Sequence, residues 1–322
     1  MADCMTVKET AGLLREWDGI LVLSHASPDG DTLGSASALL RGLARMGKRV
    51  GFACADSVPA KFNYLFEGIP LSEKPPEKIV SVDVADRALL GNNDGLYGGR
   101  IDLAIDHHGT HVPFASSRWV DPTAAAAVEL IYLLLLELGI RPDKATASCL
   151  YTGLTTDTGC FRYRSTTPRT HRIAAELMEL GAEAADINRA MFETKSRQLV
   201  EAERRVLEEM RFYCENRCAV VQVPRSMLKE TGVAESDLDG IASLPRQIEG
   251  VLCGVTLKEK EDGQIKASVR TNPPLDASLL CSRFGGGGHK AAAGCSFREQ
   301  SLAQAEAAVV AECGRYLQEL GL

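Results

Sequence analysis

The sequence predicts an α/β protein: a mostly parallel sheet with helices on both faces, followed by a smaller α+β domain. Three observations carry this. Short apolar runs alternate with helical periodicity through the first half, a polar helical stretch interrupts the chain near residue 200, and a hairpin-rich pattern ending in a glycine run follows it. The 322 residues suffice for two cores, and 45% hydrophobic with 25% charged residues is a globular composition.

Residues 19–24 are an apolar run that reads as a buried strand. Leu33, Ala36, Leu39, Leu40, Leu43 and Met46 then recur at spacings of three and four, a helix that Gly47 ends. Strands are expected at 49–54, 79–82 and 101–105, and helices at about 123–139, 143–156 and 169–180, the last two opened by Pro142 and Pro168. The run 124–138 is the most apolar of the chain, yet it carries Glu129 and Glu137 and is too short to span a bilayer, so it is expected as a core helix. Asp121 reads as the N-cap of that helix, Glu129, His111 and His171 as structural, and Arg169 and Arg172 as decoration of a helix face. Residues 196–216 read as a connecting helix, dividing the chain into domains at 1–195 and 217–322. The second domain should hold strands at 218–223, 251–258 and 264–270, a short helix near 276–283 and a terminal helix from about 302.

The net charge of −7 excludes a long nucleic-acid duplex as the main partner. The ten cysteines are scattered without a C-x-x-C pair, and the start of the chain is polar. This reads as reduced thiols in a cytoplasmic protein with no membrane partner, for which a homodimer is permitted. Cys214 and Cys218 resemble half a zinc knuckle, but no second pair follows, so they are read as structural.

Chemistry concentrates where strands or helices run out. Four segments, 24–31, 82–86, 105–109 and 155–159, each bring carboxylates or imidazoles to such an end: His25, Asp29 and Asp31; Asp83; Asp106, His107 and His108; and Asp157. In open parallel sheets ligands bind beyond the carboxyl ends of the strands, where the first three segments lie. Singly these are turn and cap residues. Three adjacent ligand-type residues straight after an apolar strand have no packing purpose, however, and the four segments together supply ligands for two divalent metals, a centre suited to phosphate-ester hydrolysis. Carboxylates with imidazole suit Mn²⁺, Mg²⁺ or Fe²⁺ better than structural zinc. Further along, Gly285-Gly286-Gly287-Gly288 would let backbone N–H groups converge on an anion, and Arg270 suits a terminal phosphate. Arg162 and Arg164 add charge just after Asp157.

The ordered set of these motifs, with Arg270-Thr271-Asn272 and Phe284-Gly-Gly-Gly-Gly-His289-Lys290, resembles the DHH phosphoesterase family and its associated C-terminal domain. Layout and length are similar to the family's small oligoribonuclease and phosphoadenosine phosphatase type, although Thr271 stands where serine more often follows the arginine. The resemblance implies one metal on His25, Asp29 and Asp83 and a second on Asp31, Asp83, His107 and Asp157, with Asp83 bridging. It implies Asp106 as the partner that orients an imidazole, and His108 as the group facing the scissile phosphate. Arg270, Gly286, Gly287, Gly288, His289 and Arg162 would bind substrate in a cleft between the domains. The expected cofactors are two divalent ions, foremost Mn²⁺. The expected substrates are short RNA, linear dinucleotides or the 3′,5′-bisphosphate pAp. Cyclic-dinucleotide cleavage, manganese-dependent pyrophosphate hydrolysis and non-catalytic nucleotide binding are the alternatives.

Overall fold

Alternation along the strands decides the first layer. A computed structural model describes residues 4–322, which fall into one unit ending at Thr194 and another spanning Lys195–Leu322. The first contains α1 (Val7–Glu16), β1 (Ile20–Leu23), α2 (Gly30–Arg45), β2 (Val50–Ala53), β3 (Lys78–Val82), α3 (Asn93–Tyr97), β4 (Leu103–Asp106), β5 (Ser117–Val120), α4 (Ala127–Glu137), α5 (Lys144–Asp157), α6 (Pro168–Glu179) and α7 (Ala184–Asn188). Its strands form one parallel sheet in the order β2-β1-β3-β4-β5. Successive strand side chains point to opposite faces. Ile20, Val22, Val80, Val82, Leu103 and Ile105 accordingly enter the main core under the long helices. Leu21, Leu23 and Ile79 pack on the other face with Val84, Leu90 and Ile101, in and beside short helical turns.

Helix α2 is buried from Gly30 through Leu40. Two glycines permit that. A Cβ on Gly34 would stand 2.5 Å from the Cys149 carbonyl oxygen of α5, and one on Gly153 of α5 would stand 2.4 Å from Val128 Cγ1 and 3.1 Å from the Asp31 Cα of α2. The two helices therefore lie nearly backbone to backbone.

Four local readings change. Strand β5 was not anticipated: it pairs with β4 through the half-polar segment Ser117–Val120, which lacks a strand-like run. Helix α4 starts at Ala127 rather than near 123, because Ala126 is extended and the Asp31 carboxylate accepts from the N–H groups of Ala127 (2.6 Å) and Val128 (3.0 Å). Asp121 is thus not its N-cap; it accepts from Thr123 and from Arg169 Nη1 at 3.1 Å. Nor is Arg169 surface decoration. It donates from Nε to the fully buried Glu129 at 2.7 Å, which also accepts from Thr170 Oγ1 at 2.6 Å. Truncating one member of such a pair strands the other charge. Arg169→Ala is expected to cost about 3 kcal/mol in urea denaturation, with most of it recovered in Glu129→Met/Arg169→Met; a loss below about 0.5 kcal/mol, within the range of exposed ion pairs, would argue against this role.

The second unit contains α8 (Arg197–Glu208), β6 (Arg211–Tyr213), β7 (Cys218–Val223), α9 (Arg225–Thr231), β8 (Cys253–Glu259), β9 (Ile265–Thr271), α10 (Ala277–Ser282), β10 (Gly287–His289), β11 (Ala292–Phe297) and α11 (Leu302–Glu319). The sheet order is β10-β11-β9-β8-β7-β6, with β7 and β8 parallel and the other pairs antiparallel. The expected connecting helix stops at Glu208, because 211–213 pairs as an edge strand. It belongs to the second unit: its Ala202 and Val206 pack with Val221, Val223 and Met227. Helices α10 and α11 cover the opposite face through Ala277, Leu280, Val309 and Tyr316. Among the described residues no helix is long and apolar enough to cross a membrane.

Candidate metal centre

Each ligand-type side chain of the first unit is delivered by the end of an element. His25 follows β1, Asp83 follows β3, and Asp106 closes β4, with His107 and His108 directly after it. Asp29 is the N-cap of α2, accepting from the N–H groups of Asp31 and Thr32, and Asp31 lies in the first turn. Asp157 is the last residue of α5.

The fold brings these together around Asp83. Its Oδ2 lies 3.6 Å from His25 Nε2, and its Oδ1 lies 3.5 Å from His107 Nε2 and 3.6 Å from His108 Nδ1. His25 Nε2 is 3.7 Å from Asp29, and His107 Nε2 is 3.7 Å from Asp31 and 3.6 Å from Asp157. Three overlapping sets result, His25–Asp29–Asp83, Asp31–His107–Asp157 and Asp83–His107–His108, each compact enough for one cation; the first two share no residue, and Asp83 reaches both of their imidazoles. Asp83 occupies the left-handed region at φ 58°, a conformation that costs a non-glycine residue energy and is compatible with aspartate.

Four observations fit divalent cations here. Asp83 Oδ1 is buried without a hydrogen-bond partner, which a buried carboxylate rarely tolerates. His25 Nδ1 donates to the Ala26 carbonyl at 2.8 Å and His107 Nδ1 to the Ala124 carbonyl at 3.2 Å, leaving each Nε2 lone pair aimed inward. Asp157 puts an anion at a helix C-terminus, where the backbone dipole is already negative. Finally, the cluster is short of positive charge. Burial, reinforced by Asp83 and Asp157, pushes Asp31 well above the usual carboxylate range. Asp157 rises to about 7 through burial, to which Asp29 and Asp83 add against the opposing charges of His107 and His108.

The imidazoles show the converse. Burial alone would lower His25 and His107, but Asp29 and Asp83 around the first, and Asp83, Asp31 and Asp157 around the second, raise each to about 11. Burial would raise Asp83, yet His107 and His25 hold it below its ordinary range. Without metal both imidazoles therefore carry protons at neutral pH, and a cation must displace them. Mn²⁺ affinity is expected to strengthen between about pH 6 and pH 8 with proton release, measurable by calorimetry in buffers of different ionisation enthalpy; a pH-independent affinity would contradict this.

Asp106 orients two imidazoles rather than one. Its Oδ1 accepts from His108 Nδ1 at 2.8 Å and its Oδ2 from His111 Nδ1 at 2.7 Å, and together they overcome burial and hold it at about 2. His111, read as structural, is thus joined to the centre through Asp106. The spacing Asp106-His107-His108-x-x-His111 was the available signal.

The residues read as substrate-binding divide between the units. Arg162 is exposed, donates to the Gly159 carbonyl at 2.5 Å and lies over the Phe192 ring. In the second unit the glycine run is not the anion nest expected. Gly287–His289 forms edge strand β10, paired to β11 through Gly287↔Gly294, Gly288↔Ala293 and His289↔Ala292. The glycines serve close approach: a Cβ at Gly286 would stand 2.2 Å from the Gly294 carbonyl oxygen, and one at Gly288 would stand 2.7 Å from that of Ala292. The pairing continues Ala292↔Arg270, so His289, Ala292 and Arg270 form one row across three strands. Residues directly opposite in a sheet share a face. Arg270 and His289 therefore flank a small alanine on one surface.

Known proteins agree with this architecture. The DHH family, N-terminal domain, matches residues 19–154, and the DHHA1 domain matches residues 215–315. The chain is 32% identical over 304 residues to the bifunctional oligoribonuclease and PAP phosphatase NrnA of Thermus thermophilus, covering 92% of this chain and 89% of that one. An exopolyphosphatase-related protein from Bacteroides fragilis superposes with a TM-score of 0.87 at 24% identity, covering 98% of this chain and 96% of that one. RecJ of Thermus thermophilus in complex with Mn²⁺ gives a TM-score of 0.58 at 17% identity over 96% of this chain and 55% of RecJ.

Proposed function

The chain belongs to the DHH family, and from that premise we propose that it is a metal-dependent phosphoesterase hydrolysing short oligoribonucleotides, linear dinucleotides and pAp. The observation that carries this reading is Asp83, buried between His25 and His107 with an oxygen toward each. His25, Asp29 and Asp83 would hold one divalent ion, and Asp31, His107 and Asp157 with Asp83 a second. Mn²⁺ suits this mixture of hard oxygens and imidazole. When bound, such a pair supplies Lewis-acid charge to a phosphoryl group and hydroxide at neutral pH.

The remaining steps belong to the chain's own residues. Asp106, held ionised, keeps the His108 proton on Nδ1 and fixes the ring. His108, about one-fifth exposed, would then stabilise phosphoryl charge or protonate the leaving oxygen. The substrate's far phosphate would be taken by Arg270, whose fork suits bidentate contact, beside His289 and the narrow Gly286–Gly288 edge. Two point-like anion contacts and an acidic global charge favour a substrate of a few nucleotides.

Arg270→Ala and His289→Ala are expected to raise KM for a dinucleotide about tenfold or more, the loss of a charge-assisted contact, with kcat on bis-p-nitrophenyl phosphate little changed. Equal loss on both substrates would remove the anchoring role. The reading as a whole is tested by product analysis with 5′-labelled dinucleotide, pAp, cyclic dinucleotide and pyrophosphate under Mn²⁺. Mononucleotides from the dinucleotide and AMP from pAp are expected; turnover confined to cyclic dinucleotide or pyrophosphate would reject it.

A further inference from the structure

A second group of ligand-type atoms, all of them thiols, lies in the other unit. Cys218 of β7 and Cys253 of β8 are direct partners in the parallel register, so their side chains leave the sheet on one face. Helix α11 packs on that face and contributes Cys313. The three thiol sulfurs lie within 4.8 Å of one another, and all three residues are completely buried. A fourth thiol adjoins Cys313. Cys214, in the turn between β6 and β7, interacts with the Cys313 thiol, and a Cβ on neighbouring Gly314 would stand 3.6 Å from Cys214 Sγ. That turn is tightly wound, with Cys214, Glu215 and Asn216 all at φ between 52° and 66°.

We propose that Cys218, Cys253 and Cys313, completed by Cys214, form a thiolate site for a structural zinc ion that ties α11 to the sheet. Tetrahedral zinc holds sulfur at about 2.3 Å, which requires sulfur–sulfur separations of about 3.8 Å, inside the 4.8 Å envelope of Cys218, Cys253 and Cys313. The sulfurs come from three separate elements and a turn, so an ion there would cross-link the unit rather than one hairpin. Four sulfurs close the coordination sphere, leaving no position for a substrate. Loading releases up to four thiol protons to solvent. Cys214 is only half-buried and provides the route for the ion. Cys281 and Cys295 adjoin each other elsewhere in the unit, but they supply only two sulfurs and serve as the control.

The test uses the full chain. Purified protein is expected to hold one zinc per chain by elemental mass spectrometry, retained in Asp83→Asn and lost in Cys218→Ser/Cys253→Ser. Substitution with Co²⁺ should give a near-ultraviolet thiolate-to-cobalt charge-transfer band saturating at one equivalent. The oxygen and imidazole ligands of the first unit cannot produce that band. Cys281→Ser should keep it. If the double variant does not fold, Cys214→Ser decides, with zinc affinity expected to fall at least tenfold. Wild type without the band at saturating Co²⁺, a band that survives in Cys218→Ser/Cys253→Ser, or unchanged zinc affinity in Cys214→Ser would overturn the proposal.

Discussion

Asp83→Asn is expected to lower kcat on a dinucleotide by at least about 10³-fold, roughly 4 kcal/mol of barrier, while leaving the fold intact. The substitution keeps shape and tolerance of the left-handed backbone, since asparagine adopts φ near 58° as readily as aspartate. What it removes is the charge shared between His25 and His107, together with the second oxygen ligand. Mn²⁺ uptake by the first unit should weaken with it. For the wild type, Mn²⁺ at about one hundred times its Kd should add about 2.7 kcal/mol of stability, seen as a rise in Tm; for the variant that rise should shrink. Near-wild-type turnover of Asp83→Asn at saturating Mn²⁺ would dismantle the assignment of the centre.

Gly34→Ala carries the second large effect, although residue 34 touches no ligand. The new Cβ would stand 2.5 Å from the Cys149 carbonyl oxygen and 3.1 Å from the Gly153 nitrogen, both backbone atoms with no rotamer to yield. The helices α2 and α5 must part. Overpacking of this kind costs about 1–3 kcal/mol. The displacement also moves chemistry, because α2 carries Asp31 three residues upstream and α5 ends in Asp157. A misplacement of about 1 Å can cost about 10² in rate, so kcat should fall by that order even where the variant remains folded. Gly95→Ala is the control: it lies in the short helix α3 with nothing within 4 Å of its added Cβ, and it should be neutral or slightly stabilising. Activity of Gly34→Ala within twofold of wild type would show that the helix spacing does not position the centre.

These two substitutions differ in how far sequence could anticipate them. Asp83 stood out only as one acid at a strand end, an ordinary turn residue until His25 and His107 are seen on either side of it. Gly34 carried no signal, since a glycine within a helical pattern is ambiguous until its neighbour across the interface is known. The same holds for Arg169, a helix-surface arginine by periodicity, whose partners Asp121 and Glu129 lie 48 and 40 residues earlier in the chain. The cysteines follow this pattern too: Cys214-x-x-x-Cys218 lacked a second pair because Cys253 and Cys313 arrive separately, one by strand register and one from the terminal helix.

Local order alone determined the alternation of strand and helix, the change of pattern near residue 200, and the placing of ligand-type side chains where apolar runs stop. Each of these is a near-neighbour property: hydrophobic period, caps, and breakers act within a few residues. Tertiary structure alone decided which oxygen faces which nitrogen, that Asp106 serves His111 as well as His108, that the glycine run is an edge strand, and that three scattered thiols meet. Those relations depend on register between strands and on the distance between packed helices, quantities set by contacts that a linear reading does not contain.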